Sequence, residues 1–346
     1  VRLDDEGDGL ELPRSVYITT QGVHVARERE RLIVSRNREV IGRVPLRLID
    51  QIALHGNALI STAVIRYCHE HQIGLAFADA NGINPAILEG TPETSVALLT
   101  RQVKRQDDAA FGLAFAKACI EGKLHNCRAV LRNFSRRDAP DCVARAMAVL
   151  EHSLRSLART NDLNTLRGHE GRAARAYFFA LGALIPENWG FSGRNRMPPQ
   201  DPVNALLSYG YAVLSHTMHA AIRMACLHAG FGHLHAIAPN RPALVCDLIE
   251  EFRPLVVDAV VLTMIRKYSI DPQTDFALPA QTGGVCRLQA AAKQLFIARL
   301  EAKLAAPLAC PEGSGKTCLL RMMRAQVARY AGSLGNAAAY RPYLAP

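Results

Sequence analysis

The sequence lacks any apolar run approaching the roughly 20 residues that a helix needs to span a bilayer. It also lacks a basic leader followed by an apolar stretch, because residues 4–9 read DDEGDG. These absences argue against a membrane-spanning helix and a secretory signal. We therefore expect a soluble, cytoplasmic protein in which residues 1–14 form a loose acidic tail.

Signals for paired cysteines are missing as well. The nine cysteines are odd in number and scattered, and no two of them have Cys-x-x-Cys spacing. This usage is typical of reduced thiols, most of them in the core, and not of a disulfide framework. The sequence also has no internal repeat and no low-complexity segment.

Length, apolar content and positive charge are what the chain does have. Its 346 residues, 49% of them hydrophobic, are enough for a sizeable core and favour two domains over one. Lys and Arg together number 41 against 31 Asp and Glu, which leaves a formal net charge of +10. Such an excess favours a polyanionic partner, for example nucleic acid.

The apolar periodicity divides the chain into two regions. Residues 15–95 contain short strand-like runs between Gly, Pro and Asn turn signals, with one helix that Ser61 would cap and a linker at residues 90–95. From residue 96 the period changes to 3.6, which is typical of helices. We predict an α+β fold with a β-rich N-terminal domain, residues 15–95, and a larger, mainly α-helical C-terminal domain, residues 96–346.

The stretch from Gly232 to Asp258 gathers imidazoles, carboxylates and guanidiniums beside an apolar helical pattern. Asp247 and Glu250, three residues apart, would share one polar helix face. Two neighbouring carboxylates repel each other unless the face is solvated or a cation lies between them, so a divalent-metal site is one hypothesis and an ordinary solvated face is the other. His235, in the loop before this helix, would be a third ligand or a hydrogen-bonded loop histidine.

Glu170 lies between two glycines in the tetrapeptide GHEG, just before a predicted helix at residues 171–184. An acidic residue in a first helical turn is common because it favours the helix dipole. The flanking glycines, Gly168 and Gly171, would in addition let the backbone approach another group closely. Glutamate, histidine and a further carboxylate together form an oxygen and nitrogen ligand set that suits Mg²⁺ or Mn²⁺ better than a structural zinc ion.

Four arginines accompany these acidic residues. Arg241 and Arg253 flank the carboxylates, while Arg194 and Arg196 lie in a Gly/Pro-rich loop ahead of a helix that Asp201-Pro202 would open. Guanidinium groups can bind phosphate in a bidentate manner, so this set would position a phosphodiester backbone. The alternative is ordinary pairing of each arginine with a neighbouring carboxylate, such as Glu251 or Asp258.

Two further patterns suggest other chemistries. The segment GSGKT at residues 313–317 resembles the end of a phosphate-binding loop, which would make the protein an NTPase that depends on Lys316. However, Cys310 stands where that motif needs glycine. His216 and His219 could face His233 and His235 in an all-imidazole zinc site, or they could be core histidines.

Three segments, taken together, carry a resemblance to a known family. They are LRGHEGRAARAYF at 166–178, FSGRNRMPPQDPVNALLSYGY at 191–211 and GHLHAIAPNRPALVCDLIEEFRPLVVD at 232–258. In this order and spacing they resemble the CRISPR-associated integrase of spacer acquisition, the Cas-one family, and are most similar to its type I-C branch. His169, where the family commonly has an aliphatic residue, and the additional imidazole of His233 are departures from its pattern.

The resemblance implies a function and a set of partners. It implies a homodimer formed through the β-rich domain, and Mg²⁺ or Mn²⁺ held by Glu170, His235 and Glu250, with Asp247 as an additional or supporting carboxylate. It implies assembly with the Cas-two protein and with the Cas-four nuclease, and the joining of 3′-OH ends of a DNA duplex to the CRISPR repeat by transesterification. A catalytically inactive DNA-binding scaffold subunit is the alternative.

Overall fold

The computed structural model describes residues 14–71, 73–79, 86–88, 96–135, 140–195, 198–278, 284–310, 315–335 and 339–346. The chain divides into two compact units, Val1–Thr94 and Ser95–Pro346. The α+β prediction is confirmed, because strands predominate in the first unit and helices in the second. The expected acidic tail up to residue 13, the expected linker at residues 90–95 and Arg196 lie outside the described residues.

The first unit contains two four-stranded sheets and one helix. Its elements are β1 Arg14–Ile18, β2 Val23–Glu28, β3 Arg31–Arg36, β4 Glu39–Pro45, β5 Ile49–His55, β6 Ala58–Ile60, α1 Thr62–Glu70, β7 Gly74–Ala78 and β8 Ala86–Leu88. The first sheet has the order β1–β5–β7–β8, in which β1, β5 and β7 are parallel and β8 is antiparallel. The second has the order β4–β3–β2–β6, with two antiparallel pairs and a parallel β6.

Alternating side chains explain how the two sheets share one core. In β2, Val23 and Val25 are buried while His24 between them is exposed, as expected for a strand with one apolar face. Residues of both sheets and of α1 form a single apolar cluster. The predicted cap of α1 is confirmed, since the Ser61 side chain accepts a hydrogen bond from the Val64 amide.

The second unit is a bundle of helices with two short ribbons. Its helices are α2 Val96–Lys104, α3 Ala109–Phe134, α4 Asp141–Leu157, α5 Leu163–Gly182, α6 Pro202–Met224, α7 Ala243–Ile249, α8 Ala259–Arg266, α9 Ala290–Ala305 and α10 Leu319–Ser333. The ribbons pair β9 Phe276–Ala277 with β10 Arg287–Leu288 and β11 Leu308–Ala309 with β12 Lys316–Thr317. None of the described helices is long and apolar enough to cross a membrane.

Helix α6 begins as predicted, with Pro202 in its first turn and the Asp201 carboxylate accepting from the Asn204 amide. The predicted start of the helix around Glu170 is wrong. α5 begins at Leu163 because Asp162 caps it by accepting from the amides of residues 164 and 165. Glu170 therefore lies about two turns into the helix and not in its first turn.

A π-helical turn separates α7 from α8. After α7 ends at Ile249, a short turn holds Glu250, and Pro254–Asp258 form the π turn that leads into α8. A π turn closes hydrogen bonds over one more residue than an α turn does, and such turns are frequent at functional sites. This segment carries most of the acidic residues considered below.

All nine cysteines are free thiols, as the sequence predicts. Five of them are buried and four are partly buried, which confirms that they are mostly core residues.

Candidate active site

Asp247, near the end of α7, holds the preceding loop in place. It is 0% exposed, and its carboxylate accepts hydrogen bonds from the amides of His233, at 2.6 Å, and Leu234, at 3.0 Å. The His235 amide, at 2.9 Å, and the His235 ring Nδ1, at 2.7 Å, donate to its other oxygen. A carboxylate on Nδ1 keeps the proton there, so Nε2 is the ring nitrogen with a free lone pair.

Asp247 and Glu250 do not form a solvated face, which was one of the two hypotheses for them. Both side chains are buried, with Glu250 only 3% exposed. The helical period places residues on one face, but it does not determine whether another helix covers that face. In addition, both oxygens of Asp247 are occupied by the loop and by His235, so this carboxylate orients the imidazole and does not face the other carboxylates.

Lys123, on α3, is a site residue that the sequence reasoning missed. Its side chain is 12% exposed, and its ammonium contacts the carboxylate of Glu170 on α5 and lies 2.8 Å from Oε2 of Glu250. The available signal was its spacing, because Lys123 lies four residues from both Cys119 and Cys127, which are on the buried face of α3. A lysine on an apolar helix face implies a buried anionic partner.

Charge pairing, and not exposure, keeps the Glu250 carboxylate ionised. Burial opposes the charge of Glu250, but Arg253, with Nη1 at 2.5 Å from Oε1, and Lys123 lower the pKa of Glu250 to about 2. Burial likewise opposes the charge of Lys123, yet Glu250 and Glu170 raise its pKa above the usual value. Glu250 and its two basic neighbours, Lys123 and Arg253, are therefore charged at neutral pH.

The donor set of this site fits a divalent cation by its chemistry. Glu170 and Glu250 come from different elements yet share one cationic partner, and His235 is near enough to contribute to the low pKa of Glu250. Within the part of the chain that the structure describes, however, no group of three or more His, Cys, Asp or Glu side chains is arranged to hold a metal ion. The Lys123 ammonium lies where the two carboxylates converge.

The three described arginines of the predicted set differ in their surroundings. Arg194 donates to Oδ1 of Asn204 at 2.8 Å and to Oγ of Ser208 at 3.0 Å. Its guanidinium and that of Arg253 lie 5.5 and 4.9 Å from the centre of the Tyr211 ring. Arg253 pairs with a neighbouring carboxylate, as the alternative interpretation allowed, but the partner is Glu250 and not Glu251 or Asp258.

Arg241 lies on the loop before α7 and is exposed. Its guanidinium has no ion pair or hydrogen bond with any residue that the structure describes. Of the three described arginines in the predicted set, it therefore has the guanidinium with the most freedom to meet an external anion.

A second buried carboxylate ties three elements together behind the site. Asp258, in the π turn, accepts from the Tyr211 hydroxyl at 2.6 Å and from the Tyr177 hydroxyl at 2.8 Å. Burial raises the pKa of Asp258 to about 6, although both hydrogen bonds favour the charged form. Through Tyr211, this group is linked to the ring face on which Arg253 lies.

The C-terminal segment, residues 339–346, packs on the turn that carries Glu250. The neighbouring residue Glu251 is 0% exposed and accepts from the Tyr340 hydroxyl, from the Tyr343 amide at 2.7 Å and from Gln326 at 2.9 Å. Gly122 on α3 makes this approach possible, since a Cβ there would lie 2.8 Å from Glu251 and 2.9 Å from Pro342. Burial raises the pKa of Glu251 to about 7 in spite of these donors.

The glycines beside Glu170 do not have the role predicted for them. A Cβ atom built on Gly168 or Gly171 would meet nothing within 4 Å among the described residues. Close approach of the backbone to another group therefore does not explain them.

The described residues contain no all-imidazole group that could hold zinc, so the structure favours the alternative of core histidines. His233 points into an aromatic cluster, where its Nε2 lies 3.1 Å from the Tyr330 hydroxyl and its ring packs against Phe111 and Phe115. His216 is a core histidine, and burial together with His219 lowers its pKa to about 4. His169 lies on α5 beside Glu170.

The described part of the GSGKT segment does not form a phosphate-binding loop. Residues 311–314 lie outside the described residues, and Lys316 and Thr317 form the edge ribbon β12 ahead of α10. In the phosphate-binding motif these two residues would open the helix itself.

Comparison with known protein families places the chain clearly. The family model described as CRISPR associated protein Cas1 matches residues 16–302. The chain is 31% identical over 336 residues to the CRISPR-associated endonuclease Cas1 3 of Thermus thermophilus, which covers 95% of this chain and 96% of that protein. It is 31% identical over 305 residues to a CRISPR-associated exonuclease Cas4/endonuclease Cas1 fusion of Geobacter sulfurreducens, covering 86% of this chain and 54% of the fusion.

Solved structures share the fold at lower sequence identity. A casposase bound to integration product matches with a TM-score of 0.82 at 20% identity, over 96% of this chain and 94% of that chain. A Cas6-RT-Cas1–Cas2 complex matches with a TM-score of 0.82 at 22% identity, over 96% of this chain and 36% of that longer chain.

Proposed function

The chain belongs to the Cas1 family of CRISPR-associated endonucleases, and from that premise we propose that it is a metal-dependent DNA integrase of CRISPR adaptation. It joins the 3′-OH ends of a prespacer duplex to the CRISPR repeat by transesterification. One observation carries the proposal: Glu170 and Glu250, from separate elements, converge on a single cation beside the imidazole of His235. The casposase of similar fold is described with an integration product, which agrees with strand transfer.

We propose that Glu170, Glu250 and Nε2 of His235 hold Mg²⁺ or Mn²⁺. Such a cation, when bound, supplies Lewis-acid stabilisation of the charge that develops on a reacting phosphate. Asp247 fixes the orientation and tautomer of His235, so its role is that of a positioning residue. Glu250 is held ionised, and therefore able to bind a cation, by its two basic neighbours.

The basic residues around the carboxylates would bind the DNA backbone. Arg241 is exposed and available to a phosphate, and Arg194 is held at the Tyr211 ring by its bonds to α6. Arg253 is engaged by Glu250 and neutralises that carboxylate first. It would bind phosphate only by exchanging this partner.

The partners of this function are DNA, a second copy of the chain and two other Cas proteins. The homodimer would form through the β-rich unit. The Geobacter relative is a fusion with Cas4, and a structure of similar fold is a complex with Cas2, which supports both as partners. Assignment to the type I-C branch rests on the three sequence segments alone.

Substitution of the ligands tests the proposal. Glu170→Gln and His235→Ala should remain folded and lose Mn²⁺-dependent strand transfer by on the order of 100-fold or more, because each removes a ligand of one metal site. The double variant should be no worse than either single variant, since one missing ligand already disables the site. Glu187→Gln, at an exposed carboxylate in a short 3₁₀ turn, is the matched control. Full activity of both single variants would refute the assignment.

One observation favours the inactive-scaffold alternative. Lys123 and Arg253 already neutralise the two carboxylates without any external cation. A scaffold would bind DNA with strong salt dependence and show no turnover with Mg²⁺ or Mn²⁺. Strand transfer by the wild-type chain with its Cas partners would exclude it.

A further inference from the structure

The ammonium group of Lys123 occupies the position between the two carboxylates that the proposed function assigns to a metal. It contacts Glu170 and lies 2.8 Å from Oε2 of Glu250, while Arg253 takes the other oxygen of Glu250. Glu170, Lys123, Glu250 and Arg253 thus form a row of ion pairs without a metal ion.

A divalent ion and the Lys123 ammonium would compete for these oxygens. Mg²⁺ binds carboxylate oxygens at about 2.1 Å, and a cation at that distance from both carboxylates would lie within the contact distance of Nζ and repel it. Among the described residues, no three His, Cys, Asp or Glu side chains are already arranged to hold a metal ion. A metal that binds between the same two carboxylates would therefore take the place of the ammonium.

We propose that Lys123 is the resident counter-cation of the metal site, which bridges Glu170 and Glu250 in the metal-free protein and is displaced when the metal binds. This inference rests on the proposed function. It assigns Lys123 two effects: the lysine stabilises the empty site by pairing two carboxylates, and it weakens metal binding by competing for them. If Lys123 had only a structural role, removing it would loosen the ligands and lower the affinity for the metal.

The first test measures metal affinity in the absence of DNA. Lys123→Met should bind Mn²⁺ more tightly than wild type, by on the order of tenfold, since the charged hydrogen bonds that the metal must break are gone. The free Mn²⁺ concentration, followed by its EPR signal during titration, gives this affinity without reference to activity. Lys117→Met, on the same helix, is the matched control and should leave the affinity unchanged.

The variant should also show a specific pattern of stability. Without metal, Lys123→Met should unfold at a lower temperature than wild type, because a buried carboxylate loses its partner. Saturating Mn²⁺ should raise its unfolding temperature by more than it raises that of the wild type. Equal or weaker Mn²⁺ binding by the variant would overturn the inference and leave the metal site itself intact.

A second measurement uses only the wild-type protein, so it applies even if the variant does not fold. Amine acylation followed by mass spectrometry should label Lys123 weakly in metal-free protein, where the side chain is 12% exposed. Labelling should increase severalfold with Mn²⁺, while labelling of Lys117 should not change. Unchanged labelling of Lys123 in protein that has bound Mn²⁺ would overturn the displacement. No Mn²⁺ binding by the wild type would overturn the proposed function and this inference with it.

Discussion

At the scale of single residues, the carboxylate of Asp247 determines the geometry of the imidazole. Three backbone amides and the His235 ring all donate to it. The loop from His233 to His235 and the end of α7 are thereby held as one rigid piece. The direction in which Nε2 of His235 points is therefore set by the contacts of Nδ1 and of the backbone with Asp247.

Asp247→Asn tests this positioning role. An amide cannot accept all four hydrogen bonds, and it no longer favours the Nδ1–H tautomer, so Mn²⁺ affinity should fall by about 10- to 100-fold. Long-range ¹H–¹⁵N NMR spectra should show a changed tautomer of His235 in the variant. Asp141→Asn, at an exposed position in α4, is the control. An unaltered tautomer and affinity would show that Asp247 does not orient the ring.

The sequence predicted Glu170, His235 and Glu250 as site residues. In the structure Glu170 and Glu250 both contact Lys123, and His235 lies near Glu250. Sequence reasoning did not find Lys123, because one lysine in a chain with 41 Lys and Arg residues is ordinarily a surface residue. It also took Asp247 for a possible ligand. Asp247 accepts hydrogen bonds from backbone amides because the loop before α7 folds back onto it. The spacing of residues along the chain does not predict the path of that loop.

At the scale of elements, the C-terminal segment supports the turn that carries Glu250. Glu251 accepts from Tyr340, Tyr343 and Gln326, and Ala345 donates to Asn126 on α3 at 2.8 Å. A segment remote in sequence therefore closes over α3 and the end of α7. Its contribution is to stability first and to the site through the adjacent Glu250.

Tyr340→Phe should lower the free energy of unfolding by about 1–3 kcal/mol, because a buried carboxylate loses one of its donors. Urea denaturation at neutral pH measures this difference. Tyr268→Phe, at a tyrosine that is 89% exposed, is the matched control and should change stability little. Equal stability of the two variants would mean that the hydroxyl of Tyr340 contributes nothing to holding Glu251.

His216 on α6 should make the second unit sensitive to acid. Its pKa is lowered from 6.5 to about 4 by burial and by His219, so the folded state keeps it neutral while the unfolded state gains a proton. Stability is thus fully present above about pH 6.5 and is lost as the pH falls towards 4, by about 2 kcal/mol at pH 5.

His216→Gln removes that dependence. The loss of unfolding free energy between pH 7.5 and pH 5 should be smaller in this variant than in wild type by about 2 kcal/mol. His152→Gln, at an exposed position in α4, should leave the difference as it is in wild type. The same acid sensitivity in His216→Gln would show that other groups cause it.

Elements with strong local signals were predictable, and their limits depended on caps. Ser61 and Asp201-Pro202 fixed the starts of α1 and α6 correctly. α5 starts eight residues before the predicted position, because the Asp162 cap upstream begins the helix and the two glycines beside Glu170 do not interrupt it. Helix propensity disfavours glycine, but packing along a helix of 20 residues outweighs it.

At the scale of the whole molecule, the excess of positive charge is the feature that a DNA partner would meet first. The formal net charge is +10, and Arg241, on the loop before α7, is one of its exposed contributors. Arg241→Ala should weaken DNA binding uniformly across sequences and reduce the slope of log K against log salt by about 1. Fluorescence anisotropy at several salt concentrations measures this slope.

Arg145→Ala, at an exposed arginine of α4, is the control for the loss of charge alone. It lowers the net charge equally, so an identical change in slope would show that Arg241 contacts no phosphate and acts only through the overall charge. A loss confined to particular DNA sequences would instead indicate base recognition by Arg241.

The fold class was predictable from the change of period near residue 96, but the sheet topology was not. Runs of strands suggested hairpins, and the β2–β3–β4 hairpins are present. The parallel pairing of β1 with β5 and of β5 with β7 joins strands that are distant in the chain. Such pairing depends on the core that both sheets share, so it cannot be predicted from the apolar pattern within each strand.

The π turn at Pro254–Asp258 determines which changes in chain length this region can tolerate. Each residue added to or removed from a helix rotates everything beyond it by about 100°. Deletion of one residue between Glu250 and Asp258 would therefore turn one of these two buried acids out of its pocket, even if every side chain kept its identity. Among engineered or naturally varying forms of this chain, residue count in this segment should be under tighter restriction than residue type.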